Sequence, residues 1–506
     1  MDFQYPFLPI FASFLVFVIT FFIIRSRKSK TLPPGPWKIP IIGNLHNLVG
    51  SLPHHSLYKL SKKHGPIMHL KLGEINNIVI SSPETAKEVL KTHDLTFANR
   101  PFSLSANIIS YESTNLVFAP YGEYWRQLRK ICMLELLSAK RVQSFRSIRE
   151  EEVLNIMQMF SASEGSPINF TSIVFKYMYS VISRAAFGKV RKEQEGFVPH
   201  VKEILELGAG FSIADVFPSI KILQRVGGMK AKLERLHHEA DKILQSIVSD
   251  HQARKQTQKE KIGEDDQQDL VDVLLKFQDD PNLDFSLTTN NIKAVILDIF
   301  IAGSETSSTT VEWAMAEMLK NPGVMEKAQA EVRQVFSEKG YVDEAKLGEL
   351  NYLKLVIKEA LRLHPPLPLL LPRESQDECD IYGFHIPKRT KLFVNAWAIG
   401  RDPKYWKEAE KFNPERFSEG ALIDYKGGNF ELIPFGSGRR VCPGITFGVL
   451  NVELPLANLL YHFDWKLADE MKAEDLDMDE AYGVTVKREN DLNLIPLLRY
   501  SLHVVV

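Results

Sequence analysis

The segment Phe435-Gly-Ser-Gly-Arg-Arg-Val-Cys442-Pro-Gly444, with the apolar stretch ITFGVLNVELPLANLLYHF after it, constrains the fold of this chain most strongly. Gly436 and Gly438 allow a tight turn that brings backbone N–H groups close to a sulfur. Pro443 suits the first position of a helix, so Cys442 is predicted at a helix N-terminus, where the partial positive charge favours a thiolate. A lone cysteine is usually a small buried apolar residue. This setting instead favours a functional thiolate, with a redox-sensing loop as the alternative.

Cysteine usage and charge exclude several classes of protein. The three cysteines, Cys132, Cys379 and Cys442, form no CxxC pair, which argues against a disulfide framework or a structural zinc module and for a reducing compartment. The 62 Lys and Arg residues nearly balance the 63 Asp and Glu residues. The chain therefore shows no overall basic excess that would indicate a nucleic-acid partner.

The N-terminus contains an uncharged apolar run, Tyr5 to Ile24, followed by the basic residues of RSRKSK. Twenty helical residues span about 30 Å, the thickness of the hydrocarbon core of a bilayer. Basic residues after the run favour an uncleaved single-pass anchor over a signal peptide, with the rest of the chain in the cytosol. The predicted organisation is a membrane anchor with its basic flank at 1–30, a proline-rich stalk at 31–44 and a catalytic domain at 45–506.

The remaining sequence is predicted to be mainly α with a minor β part. A hairpin is expected from His69–Leu72 and Asn77–Ile80 around a Gly-Glu turn. Apolar residues recur at helical spacing in four further segments. These segments are Tyr124–Leu137, Ile148–Phe160, Lys230–Gln252 and Val324–Phe336. Short strands are expected at Tyr382–Ile386, Lys391–Val394 and Asn493–Pro496.

One long helix, Asn291 to Lys320, is predicted to carry a polar break at Ala-Gly-Ser-Glu-Thr-Ser. Gly303 costs about 1 kcal/mol in a helix interior relative to alanine, and the clustered Ser and Thr offer competing backbone bonds. Such a helix can kink and open room for a ligand. Glu305 and Thr306 would then place a carboxylate and a hydroxyl at the opening. The alternative is a Ser/Thr face that only packs on a neighbour.

Two sets of charged residues also suggest a buried site. Glu359 and Arg362 lie three apart on one helix face, and Arg416 of PERF can join them in a buried cluster, although a solvated pair is the alternative. Trp125 and Arg129 lie on a basic helix. With Arg373 and Arg440 they can bind the carboxylates of a ligand through charge-assisted hydrogen bonds.

These motifs, FGSGRRVCPG, EALR, PERF, AGSET and WRQLR, stand in the order found in cytochrome P-450 monooxygenases, which the chain resembles along its whole length. The proline-rich stalk, ETSSTTVEWAMAEML and NAWAIGRDP are similar to plant microsomal enzymes, especially sesquiterpenoid and tabersonine-type alkaloid hydroxylases. Many relatives have Thr-Asp-Thr where this chain has Ser304-Glu305-Thr306. The carboxylate and hydroxyl are kept, but the shape of the pocket is expected to differ.

The resemblance implies the cytochrome P-450 fold, behind a single N-terminal transmembrane helix, and heme b (iron protoporphyrin IX) as cofactor. Cys442 is then the metal ligand, and Thr306 and Glu305 are the catalytic pair for oxygen activation. Glu359, Arg362 and Arg416 are a structural triad. The remaining cofactor-binding residues implied are Trp125, Arg129, Arg373, Arg440 and Phe435. Electrons come from NADPH through a membrane-bound NADPH–cytochrome P-450 reductase, at the endoplasmic reticulum membrane.

The substrate is expected to be a small hydrophobic plant metabolite that is oxidised with O2. The positions that match the substrate-contact segments of the family are largely apolar. They are Ile301, Ala302, Leu369, Leu370, Tyr482, Gly483 and Val484. A terpenoid is favoured over an alkaloid, with a phenylpropanoid third. The other classes are a heme-binding protein without turnover, against which Thr306 and Glu305 argue, and an enzyme that rearranges a peroxide without NADPH.

Overall fold

One long helix, Thr289–Lys320, organises the fold. The structure is a computed structural model that describes residues 31–188, 197–208, 213–224, 228–258, 268–278, 285–418, 423–481 and 483–502. Within these ranges no helix is both long enough and apolar enough to cross a bilayer. The apolar run of Tyr5 to Ile24, for which an anchor is predicted, lies outside the described residues.

The described part of the chain is mainly helical, as the sequence predicts. Its α-helices are α1 Pro53–His64, α2 Pro83–Lys87, α3 Leu104–Ile109, α4 Glu123–Ile131, α5 Ala139–Ser144, α6 Arg146–Ala162, α7 Phe170–Phe187, α8 Phe197–Gly208, α9 Ile213–Val216, α10 Met229–Gln258, α11 Leu270–Gln278, α12 Thr289–Lys320, α13 Pro322–Val335, α14 Asn351–Leu363, α15 Ala396–Ile399 and α16 Ile445–His462. Helix α12 starts with a capping box between Thr288 and Asn291, and Pro322 opens the next helix after it ends.

The β part consists of small sheets at the edges of the helical body. The strands are β1 Ile67–Leu72, β2 Ile75–Ile80, β3 Ile168–Asn169, β4 Arg373–Glu374, β5 Cys379–Ile381, β6 Phe384–Ile386, β7 Lys391–Val394, β8 Phe463–Leu467, β9 Glu480–Ala481, β10 Lys487–Arg488 and β11 Asn493–Leu498. The largest sheet has the order β1-β2-β7-β4, in which β2 and β7 are parallel and pair Asn77 with Lys391 through Ile80 with Val394. A second sheet has the order β3-β11-β8.

Helix α12 is buried over most of its length because helices cover it on several sides. It packs against α7 on one side and against α14 and α16 on another. Val311, Met315 and Met318 are inaccessible to solvent in the core that these helices share. The burial of this apolar surface is the main stabilising contribution to the helical body, and it fixes the helix that carries Glu305 and Thr306.

Local predictions made from apolar periodicity are confirmed with shifted ends. The hairpin of β1 and β2, strand β7 and the four amphipathic segments are all present. The predicted segment Tyr124–Leu137 is the α-helix α4 continued by a π-helical turn at Cys132–Leu136.

The proline-rich segment lies against the sheet. The backbone N–H of His69 donates to Pro34 O at 2.8 Å, and Asn44 Nδ2 donates to Trp37 O at 2.9 Å. A Cβ atom at Gly35 would lie 2.0 Å from His69 O, so glycine permits this close approach. The segment is therefore held in one orientation on the body that follows it.

Candidate active site: a cysteine loop and two joined cavities

The loop that carries Cys442 is closed by its own backbone. The Cys442 N–H donates to Phe435 O at 3.0 Å, and a short 3₁₀ turn, Gly438–Arg440, lies between them. Helix α16 begins at Ile445 with Gly444 as its N-cap. The prediction that Pro443 is the first helical residue is therefore wrong, because the turn of the helix starts two residues later.

Gly438 is required where the cysteine loop packs against the segment that contains Leu90 and Asp94. Its φ is +70°, and a Cβ atom would lie 2.3 Å from Leu90 O and 2.6 Å from a carboxylate oxygen of Asp94. Asp94 accepts hydrogen bonds from the backbone N–H of Arg439 at 2.9 Å and from Arg373 Nη1 at 2.9 Å. This buried carboxylate therefore joins the cysteine loop to strand β4.

The electrostatics of Cys442 differ from the expectation that its position at a helix N-terminus favours a thiolate. Burial raises the pKa of Cys442, while the Gly444 N–H and Arg129 act in the opposite direction with smaller effect. Arg440, which lies in the same loop, donates hydrogen bonds to the carbonyls of Ala98 and Ala119. Burial therefore opposes the thiolate in this loop, and a positive partner such as a metal ion would favour it.

Two cavities share a wall beside Cys442. The smaller, about 240 Å³, is lined by Cys442 and by all five of the other predicted cofactor-binding residues. Those residues are Trp125, Arg129, Arg373, Phe435 and Arg440. The larger, about 340 Å³, extends away from the sulfur. Ala302 and Thr306 of α12 line both cavities, so the two spaces meet at this point of the helix.

Four arginines line the smaller cavity, and one of them was missed in the sequence. Arg100 follows Asn99 in a loop without apolar periodicity, so no sequence pattern marks it. Its guanidinium donates to the carbonyls of Val117, Leu371 and Pro372. Burial and the other three arginines lower the pKa of Arg100 well below its usual range.

The other three arginines are held in place at the same end of the cavity. Arg129 Nη2 donates to Val441 O at 2.7 Å, and Arg440 lies 4.1 Å from the ring centroid of Trp125. The indole N–H of Trp125 donates to Leu116 O at 2.9 Å. Among the described residues, Arg373 is the one of the four with a carboxylate partner, Asp94. This excess of buried positive charge is the chemistry of a site for an anionic group.

Helix α12 is continuous where the sequence suggested a kink. Ser304 Oγ donates to Phe300 O at 2.7 Å and Thr306 Oγ1 donates to Ala302 O at 2.6 Å, so both hydroxyls satisfy a bond inside the helix. A Cβ atom at Gly303 would lie 2.9 Å from Ile182 Cδ1 of α7. The glycine therefore serves the close contact of two helices. Glu305 and Thr306 both line the larger cavity.

The structure brings the charged triad together away from the cavities. Arg362 donates to both carboxylate oxygens of Glu359 at 2.7 and 2.8 Å. Arg416 Nε donates to Glu359 Oε1 at 2.9 Å. Arg362 also donates to the carbonyls of Gly400 and Ala409. The cluster ties α14 to the segment before the cysteine loop, and the alternative of a solvated surface pair is wrong.

Six of the seven predicted substrate-contact residues line the larger cavity: Ile301, Ala302, Leu369, Leu370, Gly483 and Val484. Tyr482 lies outside the described residues. The cavity also contains polar residues that the sequence did not indicate, including Asp215, Asp298 and Lys391. The cavity therefore has apolar walls with a few polar groups.

Asp298 fixes a loop that forms part of the cavity wall. The backbone N–H of Val117 donates to Asp298 Oδ2 at 3.0 Å, and Asn115 Nδ2 donates to Oδ1. Burial raises the pKa of Asp298 to about 7, against the opposing effect of these donors. Asp298 lies within the long apolar pattern of α12 and belongs to no motif. The sequence therefore did not indicate that it fixes this loop.

Asp298→Asn is expected to remove a pH dependence from stability. Because the folded-state pKa is raised, the contribution of Asp298 is fully present below about pH 4 and is lost as pH rises to about 7. A shift of this size corresponds to a few kcal/mol. The melting temperature of the variant relative to the parent should therefore rise between pH 4 and 7. Parallel curves for the two proteins over that range would contradict this assignment.

Comparison with known proteins identifies the family. The sequence model described as "Cytochrome P450" matches residues 33–494.

The chain belongs to the cytochrome P450 family.

Individual relatives and a solved structure agree with the family match. The chain is 52% identical to desmethyl-deoxy-podophyllotoxin synthase of Sinopodophyllum hexandrum, over 97% of each chain. It is 52% identical to premnaspirodiene oxygenase of Hyoscyamus muticus, over 96% of this chain and 97% of the relative. A zebra fish cytochrome P450 structure with progesterone is similar with a TM-score of 0.76 and 24% identity, over 88% of this chain and 100% of that one. The last comparison shows the fold.

Membership in the cytochrome P450 family makes the chain a monooxygenase and implies heme as its cofactor. The smaller cavity fits that group. Its walls are mainly apolar and Cys442 lies on one side. Four guanidiniums, of which one has a carboxylate partner, offer positive charge for the two heme propionates. The geometry therefore accepts a flat apolar molecule that carries two carboxylates and a metal ion.

Proposed function

We propose that the chain is a heme-thiolate monooxygenase that inserts one oxygen atom of O2 into a compact hydrophobic terpenoid. The observation that carries this proposal is the shared wall at Ala302 and Thr306, which joins a substrate-sized apolar cavity to the cavity of Cys442. Cavities of this size and lining are typical of sites for small molecules.

Cys442 and the four arginines are proposed to hold the heme. The Cys442 sulfur would bind the iron, and Arg100, Arg129, Arg373 and Arg440 would bind the propionates. When bound, heme supplies the oxidising chemistry by which O2 is used. The backbone bond between Cys442 and Phe435 and the anchoring of Arg373 by Asp94 keep these groups in place before the cofactor binds. Glu359, Arg362 and Arg416 are proposed to be structural.

Thr306 and Glu305 are proposed to handle protons at the junction of the cavities. Thr306 Oγ1 gives its own hydrogen to Ala302 O, so its lone pairs can accept a hydrogen bond from a molecule in the cavity. Glu305 lines the larger cavity beside it and can exchange protons with water there. Because this hydroxyl and this carboxylate line the same cavity, they are proposed to pass a proton into a space whose walls are mainly apolar.

The substrate proposal is supported by the walls of the larger cavity. Four apolar side chains give uncharged contact surface in this cavity: Ile301, Leu369, Leu370 and Val484. The name of the relative premnaspirodiene oxygenase describes oxygenation of a diene, which agrees with a terpenoid. An alkaloid or a phenylpropanoid is the alternative substrate, because relatives of equal identity carry the names of different products.

The decisive experiment is product analysis in microsomes that contain the chain and NADPH–cytochrome P450 reductase, fed terpenoids, alkaloids and phenylpropanoids under ¹⁸O2. We expect a terpenoid product that has gained one ¹⁸O atom and that requires NADPH. A product formed without NADPH would indicate rearrangement of a peroxide. Heme binding with no product from any substrate would instead support a heme-binding protein without turnover.

We also propose that residues 1–30 anchor the protein in the endoplasmic reticulum membrane with the catalytic domain at 45–506 in the cytosol. Deleting residues 1–30 should release the protein from the tightly bound membrane fraction, because twenty apolar residues are lost. Some peripheral binding is expected through Trp37 and Ile41, which are 73% and 83% exposed. Salt and detergent extraction of microsomes measures both effects. A truncated protein that resists extraction as fully as the parent would contradict the anchor.

A further inference from the structure

Two histidines and a glutamate from opposite parts of the chain meet beside the larger cavity. His54 and His55 lie in the first turn of α1, and Glu480 comes from β9. His54 Nε2 lies 2.7 Å and His55 Nε2 lies 3.1 Å from Glu480 Oε2. The side chains of His54 and Glu480 are 2% and 8% exposed, whereas His55 is 31% exposed and opens the cluster to solvent.

A third histidine faces the same carboxylate from the other side. His364 Nε2 lies 2.7 Å from Glu317 Oε1, and its ring is stacked on Trp313 with centroids 3.9 Å apart. In the form of His364 that donates from Nε2 to Glu317 and carries no hydrogen on Nδ1, Nδ1 has a lone pair. That nitrogen lies 3.9 Å from Glu480 Oε1 and is buried with no hydrogen-bond partner among the described residues.

In that form of His364, the lone pair on Nδ1 and the carboxylate oxygen of Glu480 repel each other unless a cation lies between them. His55 Nε2 is likewise buried with no hydrogen bond within the described ranges, although it lies near the carboxylate. The nitrogen and oxygen atoms of His54, His55 and Glu480 all lie within 4.8 Å of one another.

We propose that His54, His55 and Glu480 bind a divalent transition-metal ion of the zinc class. Two imidazoles and a carboxylate, with water in the fourth position, form a tetrahedral donor set that suits Zn²⁺. Water on the ion would donate a hydrogen bond to Nδ1 of His364, whose orientation is fixed by Glu317. Such support by a neighbouring carboxylate is typical of metal sites. The exposed edge of His55 gives the ion a path from solvent.

The site would act on the wall of the larger cavity. Pro53 and His54 line that cavity, and Gly483 to Val486, which line it too, follow Glu480 by a few residues. An ion that joins α1 to β9 would therefore restrain two segments of the wall at once. It would also stabilise the fold, because it binds the folded chain alone.

Zinc binding by the purified, untagged, heme-loaded full chain tests the proposal. After metal removal with EDTA, Zn²⁺ is titrated in competition with the chromophoric chelator 4-(2-pyridylazo)resorcinol. We expect one tight equivalent per chain and a higher melting temperature with Zn²⁺. His55→Ala should weaken that equivalent at least about tenfold and abolish the rise in melting temperature. Because His55 is partly exposed, this variant should keep its fold and its heme.

The matched control is His385→Ala, since His385 also lies beside two carboxylates, those of Glu378 and Asp380, on a separate hairpin. It should bind Zn²⁺ as the parent does. Glu480→Gln removes the carboxylate ligand and is expected to behave as His55→Ala; if Glu480→Gln does not fold, His55→Ala decides. Parental affinity in His55→Ala, equal loss in His385→Ala, or no Zn²⁺ taken from the chelator would each overturn the proposal.

Discussion

Cys442→Ser is expected to abolish the strongly red-shifted absorption band that the reduced protein gives with carbon monoxide. The sulfur of Cys442 lines the smaller cavity, and the band depends on a thiolate bound to the heme iron. A serine hydroxyl has a similar size, but it contains no sulfur and stays protonated at neutral pH, so it cannot supply a thiolate ligand. The measurement is a difference spectrum of reduced protein with and without carbon monoxide, together with the heme content per chain.

The other two cysteines are natural controls for this variant. Cys132 is buried after α4, and Cys379 lies on β5 of a separate hairpin. Cys132→Ser and Cys379→Ser should both keep the band. A band retained in Cys442→Ser would show that a different residue binds the iron.

Thr306→Ala is expected to separate NADPH consumption from product formation. The hydroxyl lies where the two cavities meet and makes no contact that the fold requires beyond the bond to Ala302 O. Heme content and the carbon monoxide band should therefore be nearly unchanged. Groups that transfer protons commonly contribute about 10²–10⁴ in rate, so product should fall strongly. NADPH and O2 should then yield NADP⁺ and hydrogen peroxide.

The ratio of product formed to NADPH consumed decides the role of Thr306. Thr306→Ser keeps a hydroxyl on the helix and should restore most of the ratio. Ser308 Oγ donates to Glu305 O at 3.0 Å on the same helix and lines neither cavity, so Ser308→Ala removes a hydroxyl away from the junction. It should leave the ratio close to that of the parent. An unchanged ratio in folded, heme-loaded Thr306→Ala would remove the relay role.

The parts of the fold that depend on local periodicity could be predicted from the sequence. Clear turn signals lie beside strands β1, β2 and β7. Helix α12 carries a long apolar pattern that ends before a proline. Residues of the site could be predicted where glycines, charged residues or a cysteine stand close together in a short motif, as around Cys442 and Glu359. Cys442 lines the smaller cavity, whereas Glu359 lies away from both cavities in the charged triad.

The rest depended on contacts between distant segments. Arg100 and Asp298 have no local pattern, because their partners are backbone groups of loops elsewhere in the chain. Helix α12 runs without a break through Gly303, where α7 packs closely against it, and neither this contact nor its partner Ile182 is marked in the local pattern. Pro443 looked like the start of a helix, but the N–H of Cys442 bonds Phe435 O and the turn continues for two more residues.

The parallel pairing of β2 with β7 has a consequence for biosynthesis. Residues 77–80 pair with residues 391–394, so β2 cannot pair with β7 until more than three hundred further residues have been synthesised. At about 5–20 residues per second this delay lasts about 15–60 s. Cys442 and Arg440 leave the ribosome later still. The cofactor can therefore load only onto a chain that is almost finished, and the early helices must resist aggregation until then.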